Sequence, residues 1–286
     1  MRKRLKIIIS LLGMLLAAGI LIGLRLADSG PAAQTVNAAP AAASDSVRSA
    51  ARSVRAKKRK PARPDASNPK QKIAYLTFDD GPSGMTPKLL AALKGCRVRA
   101  TFFVVGLQAE KYPGALRQIV RGGNVVGVHS WTHKYSYIYK NMQNFSADFN
   151  ELKDYIKKET GIAPNVCRFP GGTNNTVYRH YSSGPIMRQA VSLTHHLGFA
   201  YYDWNVSSGE ASSVPPSKAA IVRTVVSQCE NKRTAVILFH DTENQGYVDA
   251  VPEIVAKLRS MGFAFDTLSP QNPPKFRAKG VQFKAR

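Results

Sequence analysis

From Lys70 onward the apolar positions fall into two alternating rhythms. Short runs rich in β-branched and aromatic residues, cut off by Gly, Pro, Asn or Asp, predict strands at 73–78, 100–105, 124–128, 166–169, 200–206, 235–240 and 263–267. Amphipathic segments lie between them. One covers about 146–160, with Phe149, Leu152 and Ile156 on one face, Lys157 and Lys158 late, and Gly161 as the stop; another covers 248–261 and ends at Gly262. Seven strands separated by helices call for a parallel sheet, either closed into a barrel or left open. No internal repeat is evident, and the Pro- and Lys-rich tail from 270 to 286 reads as loose.

The first 70 residues obey other rules. A basic start (Arg2, Lys3, Arg4, Lys6) precedes 18 uncharged residues, 7–24, enough to span a bilayer as a helix. The positive-inside rule then places the N-terminus in the cytoplasm and the remainder outside. A cleaved signal peptide is the rival reading, because Val36, Asn37 and Ala38 resemble a small-residue cleavage site. Under either reading the folded domain is exported. Residues 28–70 hold almost no large apolar side chains and cannot bury enough surface to fold, so they predict a disordered linker. Its Arg48, Arg52, Arg55, Lys57, Lys58 and Arg59 make it polybasic: either a holdfast for anionic wall polymer or lipid headgroups, or a solvated, self-repelling spacer. The chain divides accordingly into an anchor (1–27), a linker (28–70), a folded domain (71–269) and a basic tail (270–286).

Charge adds little to this. The net +23 is shared between the two parts, with 14 Lys and Arg against three Asp and Glu in residues 1–70, and 27 against 15 beyond. Such a balance suits anionic partners. No RNA-binding signature or zinc-finger spacing accompanies it, and the export signal argues against nucleic acid. Cys96, Cys167 and Cys229 are far apart and form no CxxC, which predicts free thiols and at most one disulfide.

The candidate chemistry lies at strand ends. Asp79 and Asp80 close the first strand before Gly81 and Pro82. Adjacent carboxylates are tolerated when partly buried if a cation or an Arg neutralises them, so a metal ligand beside a general base accounts for the pair; an Asx-type turn is the alternative. The third strand runs into His129 and His133, whose i, i+4 spacing on one helical turn suits a single zinc ion. The fourth delivers Arg168 before Pro170, Gly171 and Gly172, where a guanidinium can hold a carboxylate ionised and a tight turn can bring a backbone N–H to a substrate oxygen. The sixth is wholly apolar until His240, placed for proton transfer. The fifth supplies Trp204 and two carboxylates, Asp203 and Glu210, that can partner His240. His195 and His196 read as helix-end histidines.

Taken in order, Thr77-Phe-Asp-Asp-Gly-Pro82, His129-x-x-x-His133, Arg168-x-Pro170 and Leu238-x-His240 resemble the motifs of the polysaccharide deacetylases, the NodB-homology group or carbohydrate esterase family 4. The resemblance covers about 72–268. It implies a distorted (β/α)7 barrel that removes acetyl groups from a polymeric sugar with a divalent metal, commonly Zn2+, with Co2+, Mn2+ or Ni2+ as alternatives. It further implies Asp80, His129 and His133 as ligands, Asp79 as general base tuned by Arg168, and His240 as general acid. Gly171 would offer an oxyanion-binding N–H, and Leu238 and Trp204 would line the substrate site. Two departures stand out. Many family members have an aromatic residue where this chain has Gly171. In the fifth-strand motif, Ser207, Glu210 and Ala211 replace the usual Asp, Asp and Trp, which leaves Glu210, Asp203 and Asp241 as candidate partners of His240. The resulting expectation is an exported, membrane-tethered, monomeric deacetylase of peptidoglycan N-acetylglucosamine. Its rivals are a chitin-oligosaccharide deacetylase, an acetylxylan esterase and a non-catalytic wall-binding barrel.

Overall fold

The computed structural model describes residues 64, 68, 70–182, 184–212 and 214–274. The expected membrane segment, nearly all of the linker and the tail beyond 274 lie outside the described residues. Among the described residues, no helix is long and apolar enough to cross a membrane.

Strands and helices alternate along the chain. They run β1 (Lys72–Asp79), α1 (Thr86–Gly95), β2 (Thr101–Val105), α2 (Gly106–Lys111), α3 (Ala115–Arg121), β3 (Val125–Ser130), α4 (Tyr135–Ile138), α5 (Met142–Thr160) and β4 (Val166–Cys167). After a 3-10 turn at Val177–His180 come α6 (Ile186–His196), β5 (Ala200–Tyr201), β6 (Val206–Ser207), α7 (Lys218–Cys229), β7 (Thr234–His240), α8 (Gln245–Ser260) and β8 (Phe263–Phe265). The helix expected from 146 starts four residues earlier, because the Asn141 side chain caps it by accepting from Asn144 N–H; Gly161, in the left-handed region, ends it as expected. Asn244 likewise caps α8 ahead of the predicted start.

Every strand pair is parallel, in the order β5-β4-β3-β2-β1-β7-β6, with β8 paired to the first residues of β1. The single fifth strand expected at 200–206 is instead two, β5 and β6, on opposite edges of the sheet. Only residues 202–205 join them, a reach of about 18 Å when fully extended. Seven strands laid flat would set those edges about 29 Å apart. The sheet therefore curls on itself into a parallel half-barrel.

Curling gives the strands two buried faces, and the period of two sorts their side chains. Ala74, Leu76 and Phe78 of β1, with Ala235, Ile237 and Phe239 of β7, pack outward under the helices in the larger core. Ile73, Tyr75, Phe103, Val166 and Val236 fill the interior in a second cluster. Gly127 belongs to that interior, where an added Cβ would lie 2.8 Å from both the Phe103 ring and the Val166 carbonyl. The inward rhythm brings Asp79, His129 and His240 to the C-terminal mouth, where parallel α/β folds place their sites.

Candidate active site

Asp79, the last residue of β1, is in register with His240, the last of β7, so the two stand side by side. Arg168 reaches the pair from the far wall. Its Nη1 donates to Asp79 Oδ1 at 2.9 Å and to Thr77 Oγ1 at 2.7 Å, and its Nε to the Tyr202 carbonyl at 2.7 Å. Nη2 donates to the Asp203 carbonyl at 3.2 Å, and the guanidinium lies 4.5 Å over Phe103 and 5.5 Å from Trp204. Arg168 and Asp79 are 1% and 3% exposed, so the ion pair is almost dry.

Asp80 comes next, in the left-handed region (φ 69°), which turns its carboxylate toward β3. His129 Nε2 and His133 Nε2 lie 3.3 and 3.2 Å from Asp80 Oδ1. His129 Nδ1 is spent on the Arg168 carbonyl at 2.6 Å, which aims Nε2 into the site. Asp80 Oδ1 is buried and has no hydrogen-bond partner. Two imidazole nitrogens around an orphaned carboxylate oxygen, all mutually within 4.8 Å, fit a divalent cation. Burial alone would raise the Asp80 pKa, but contact with His129 and the charges of His129, His133 and His240 hold it well below the usual carboxylate range. Burial and the neighbouring His129 push His133 down, toward the neutral form a ligand needs.

The helical-turn geometry expected of the histidine pair is corrected. His129 lies inside β3 and His133 in a left-handed turn (φ 54°), so loop contacts set their convergence. The anchor is Asp148, buried on α5 and not singled out from the sequence. Its Oδ1 accepts from Ser130 Oγ at 2.8 Å and Trp131 N–H at 2.7 Å; its Oδ2 accepts from Thr132 N–H at 2.9 Å and Thr132 Oγ1 at 2.8 Å. Ser130 Oγ in turn accepts from His133 N–H at 2.8 Å. The available signal was a carboxylate set into the apolar face made by Phe145, Phe149 and Leu152.

Glu210 resolves the open question at the fifth strand. Its Oε1 accepts from His240 N–H at 2.6 Å and meets His240 Nδ1 at 2.9 Å, leaving Nε2 free. Burial would lower the His240 pKa; the Glu210 hydrogen bond, with the Asp79, Asp80 and Glu210 charges, raises it instead. The other two candidates are engaged elsewhere. Asp203 accepts from Thr173 N–H and Oγ1, and Asp241 accepts from Ser83 Oγ, Thr86 Oγ1 and Tyr247 Oη at 2.6–2.9 Å.

Leu238 faces the interior two residues before His240, in register with Thr77. Trp204 backs Arg168 and lies against Gly172. Gly171 sits at φ 77°, beside the Tyr135 hydroxyl. Tyr135 carries no motif signal. Burial, with the Asp80 and Asp79 charges, pushes its pKa up to about 12 and keeps the phenol protonated. His195 and His196 end α6 away from the site, as expected, and all three cysteines are free.

A carboxylate placed to act as a base, a triad that fits a divalent cation and a carboxylate-backed histidine at one barrel mouth are the parts of a hydrolase. Comparison with known proteins gives the family. The polysaccharide deacetylase pattern matches residues 66–184. A peptidoglycan-N-acetylglucosamine deacetylase of Bacillus cereus is 31% identical over 201 residues, covering 68% of this chain and 69% of that protein. A peptidoglycan-N-acetylmuramic acid deacetylase of Bacillus subtilis is 33% identical, over 71% of this chain but 39% of its own length. The catalytic domain of a peptidoglycan N-acetylglucosamine deacetylase from Eubacterium rectale superposes with a TM-score of 0.70 at 37% identity, over 77% of this chain and 99% of that domain. The chain belongs to the polysaccharide deacetylase family, carbohydrate esterase family 4. It is a hydrolase of non-peptide carbon–nitrogen bonds, with an acetylated glycan as substrate.

Proposed function

We propose that this protein removes the N-acetyl group from N-acetylglucosamine in peptidoglycan, using zinc held by Asp80, His129 and His133. The observation that carries the reading is the orphaned Asp80 Oδ1 between two imidazole Nε2 atoms, beside Asp79 and His240. The half-barrel is then the distorted (β/α)7 barrel of the family, with its fifth strand broken into β5 and β6.

A divalent ion held by Asp80, His129 and His133 would supply Lewis-acid polarisation of the acetyl carbonyl and would make water more acidic. Asp79, held through Oδ1 by Arg168, takes the proton of the attacking water. The Gly171 N–H faces the oxygen on which negative charge develops. His240, held by Glu210 through Nδ1, gives the Nε2 proton to the departing amine as the C–N bond breaks. Leu238 lines the pocket for the acetyl methyl and Trp204 supports the sugar side.

The polymer is inferred from the relatives, two of which act on peptidoglycan N-acetylglucosamine by name. The basic start and the uncharged run at 7–24 support a single-pass anchor with the domain outside the cytoplasmic membrane. The polybasic linker would hold to anionic wall polymer or lipid headgroups. The altered fifth-strand motif favoured a non-catalytic wall-binding barrel, but the Glu210–His240 contact fills that place in the machinery.

The test is acetate release by the purified full chain, stripped of metal and resupplied with zinc, from N-acetylglucosamine oligomers, peptidoglycan and acetylxylan. Zinc-dependent release from the first two that is lost in Asp79→Asn and His133→Ala is expected. Folded, zinc-loaded protein that releases nothing from any of them refutes the reading; release confined to acetylxylan refutes the polymer.

A further inference from the structure

Gly171 leaves no side chain at the corner where many family members carry an aromatic residue. The space is occupied all the same. A Cβ built on Gly171 would lie 2.8 Å from the Tyr135 hydroxyl and 3.1 Å from Asn175 Cβ and Cγ. Tyr135 comes from a different element, the start of α4, two residues after His133. Its ring meets His133 edge-on at a centroid distance of 5.7 Å and Tyr139 at 5.5 Å. Tyr139 is fully buried and donates its hydroxyl to the Pro170 carbonyl at 2.8 Å, which ties α4 to the Pro170–Gly171 corner. The Tyr135 phenol is thus braced on two sides between the metal-ready loop and the Gly171 backbone.

A packing role alone accounts poorly for this placement. Tyr139 does the packing there, whereas Tyr135 is only half-buried and turns its hydroxyl to the Gly171 backbone. A phenol hydroxyl against the Gly171 backbone can act with that residue's N–H as a pair of donors of the kind that binds an oxyanion, and its ring offers a flat apolar face to a sugar.

We propose that Tyr135 contacts the substrate: its ring supplies the wall that Gly171 lacks, and its hydroxyl donates to the acetyl oxygen as negative charge develops there. This rests on the deacetylase reading above. A side chain at residue 171 would also displace the phenol, in addition to the strain that a φ of 77° imposes on any residue but glycine.

The experiment compares full-chain wild type, Tyr135→Phe and Tyr135→Ala, zinc-loaded, on an N-acetylglucosamine oligomer. Zinc affinity (by chelator competition) and Tm are read on the same samples. Removing only the hydroxyl is expected to lower kcat by about 10- to 100-fold with KM within about twofold, because the bond is made mainly in the transition state. Zinc affinity and Tm should not move. Tyr135→Ala also removes the wall and should raise KM about tenfold. A Tyr135→Phe enzyme with kcat within twofold of wild type overturns the proposal, as does a loss of kcat that tracks weaker zinc binding. Wild type that releases no acetate overturns the functional reading itself, and this inference with it.

Discussion

Asp148→Asn puts a local change on the residue that shapes the metal-ready loop. The wild-type carboxylate accepts four hydrogen bonds, two per oxygen, from Ser130, Trp131 and Thr132 while only 4% exposed. An amide of the same volume keeps one acceptor oxygen and turns two donors to the other side. Hydroxyls can rotate to accept from the new NH2, but the Trp131 or Thr132 backbone N–H cannot. At least one buried N–H is then orphaned, at about 1–3 kcal/mol. The bonds that survive lose their charge assistance, so the total comes to about 2–4 kcal/mol. The strain falls on the segment that hangs His133 from Ser130 Oγ. Outer partners of metal ligands typically carry 10- to 100-fold in affinity, and zinc binding should weaken by about that factor. Two assays on the full chain read it: chelator competition for zinc, and calorimetry with and without zinc. A tenfold weaker site removes about 1.4 kcal/mol of zinc-dependent stabilisation, a Tm increment smaller by about 3–6 °C. Zinc affinity within twofold of wild type would show that the loop is set by something other than Asp148.

Arg168→Met leaves Asp79 buried without its cation and should cost about 3–5 kcal/mol; adding Asp79→Asn should recover part of that, and calorimetry showing two additive losses would refute the coupling. Glu210→Gln removes contacts that raise the His240 pKa, so protonated His240 is lost at lower pH; the alkaline limb of the kcat/KM profile should move down, with about a tenfold loss at alkaline pH and near-normal activity on the acid side. An unmoved limb would exclude His240 as the titrating acid. Arg97 occupies the left-handed residue after α1 (φ 55°), its N–H donating to the Lys94 carbonyl. Glycine there relieves a Cβ clash and gives back some chain entropy, so Arg97→Gly should gain about 0.5 kcal/mol, a Tm rise of about 1–2 °C; a fall in Tm would refute this.

Much of the site was legible because parallel strands deliver side chains to one mouth, and a strand's end can be read where an apolar run stops. Asp79, Asp80, His129, Arg168 and His240 all obey that logic. The geometry of the histidine pair was not legible. The i, i+4 spacing suggested a helical turn, but a carboxylate from α5 folds the loop instead, and no local periodicity records a contact 16–18 residues ahead. Tyr135 was equally hidden, since its meaning depends on the missing side chain at Gly171, 36 residues away. Glu210 was visible only as one of three carboxylates, and choosing among them required knowing that Asp203 and Asp241 are already bonded.

The broken fifth strand is the most instructive miss, because the break and the site have one cause. Residues 200–206 have the composition of a strand, but a continuous ladder there would commit the Tyr202 and Asp203 carbonyls to neighbouring N–H groups. Arg168 takes those two carbonyls instead, and its remaining reach goes to Thr77 and Asp79 on the opposite wall. On the other side of the gap Asn205 stands in for the ladder: its Nδ2 donates to the Thr234 carbonyl and its Oδ1 accepts from Val236 N–H. Side chains therefore close the seam that backbone leaves open. The consequence is chemical as well as architectural. Asp79 is buried, and the guanidinium that pairs with it is held by the two carbonyls freed at the break. The break in the fifth strand thus fixes, beside the metal-ready triad, the guanidinium that pairs with the buried carboxylate.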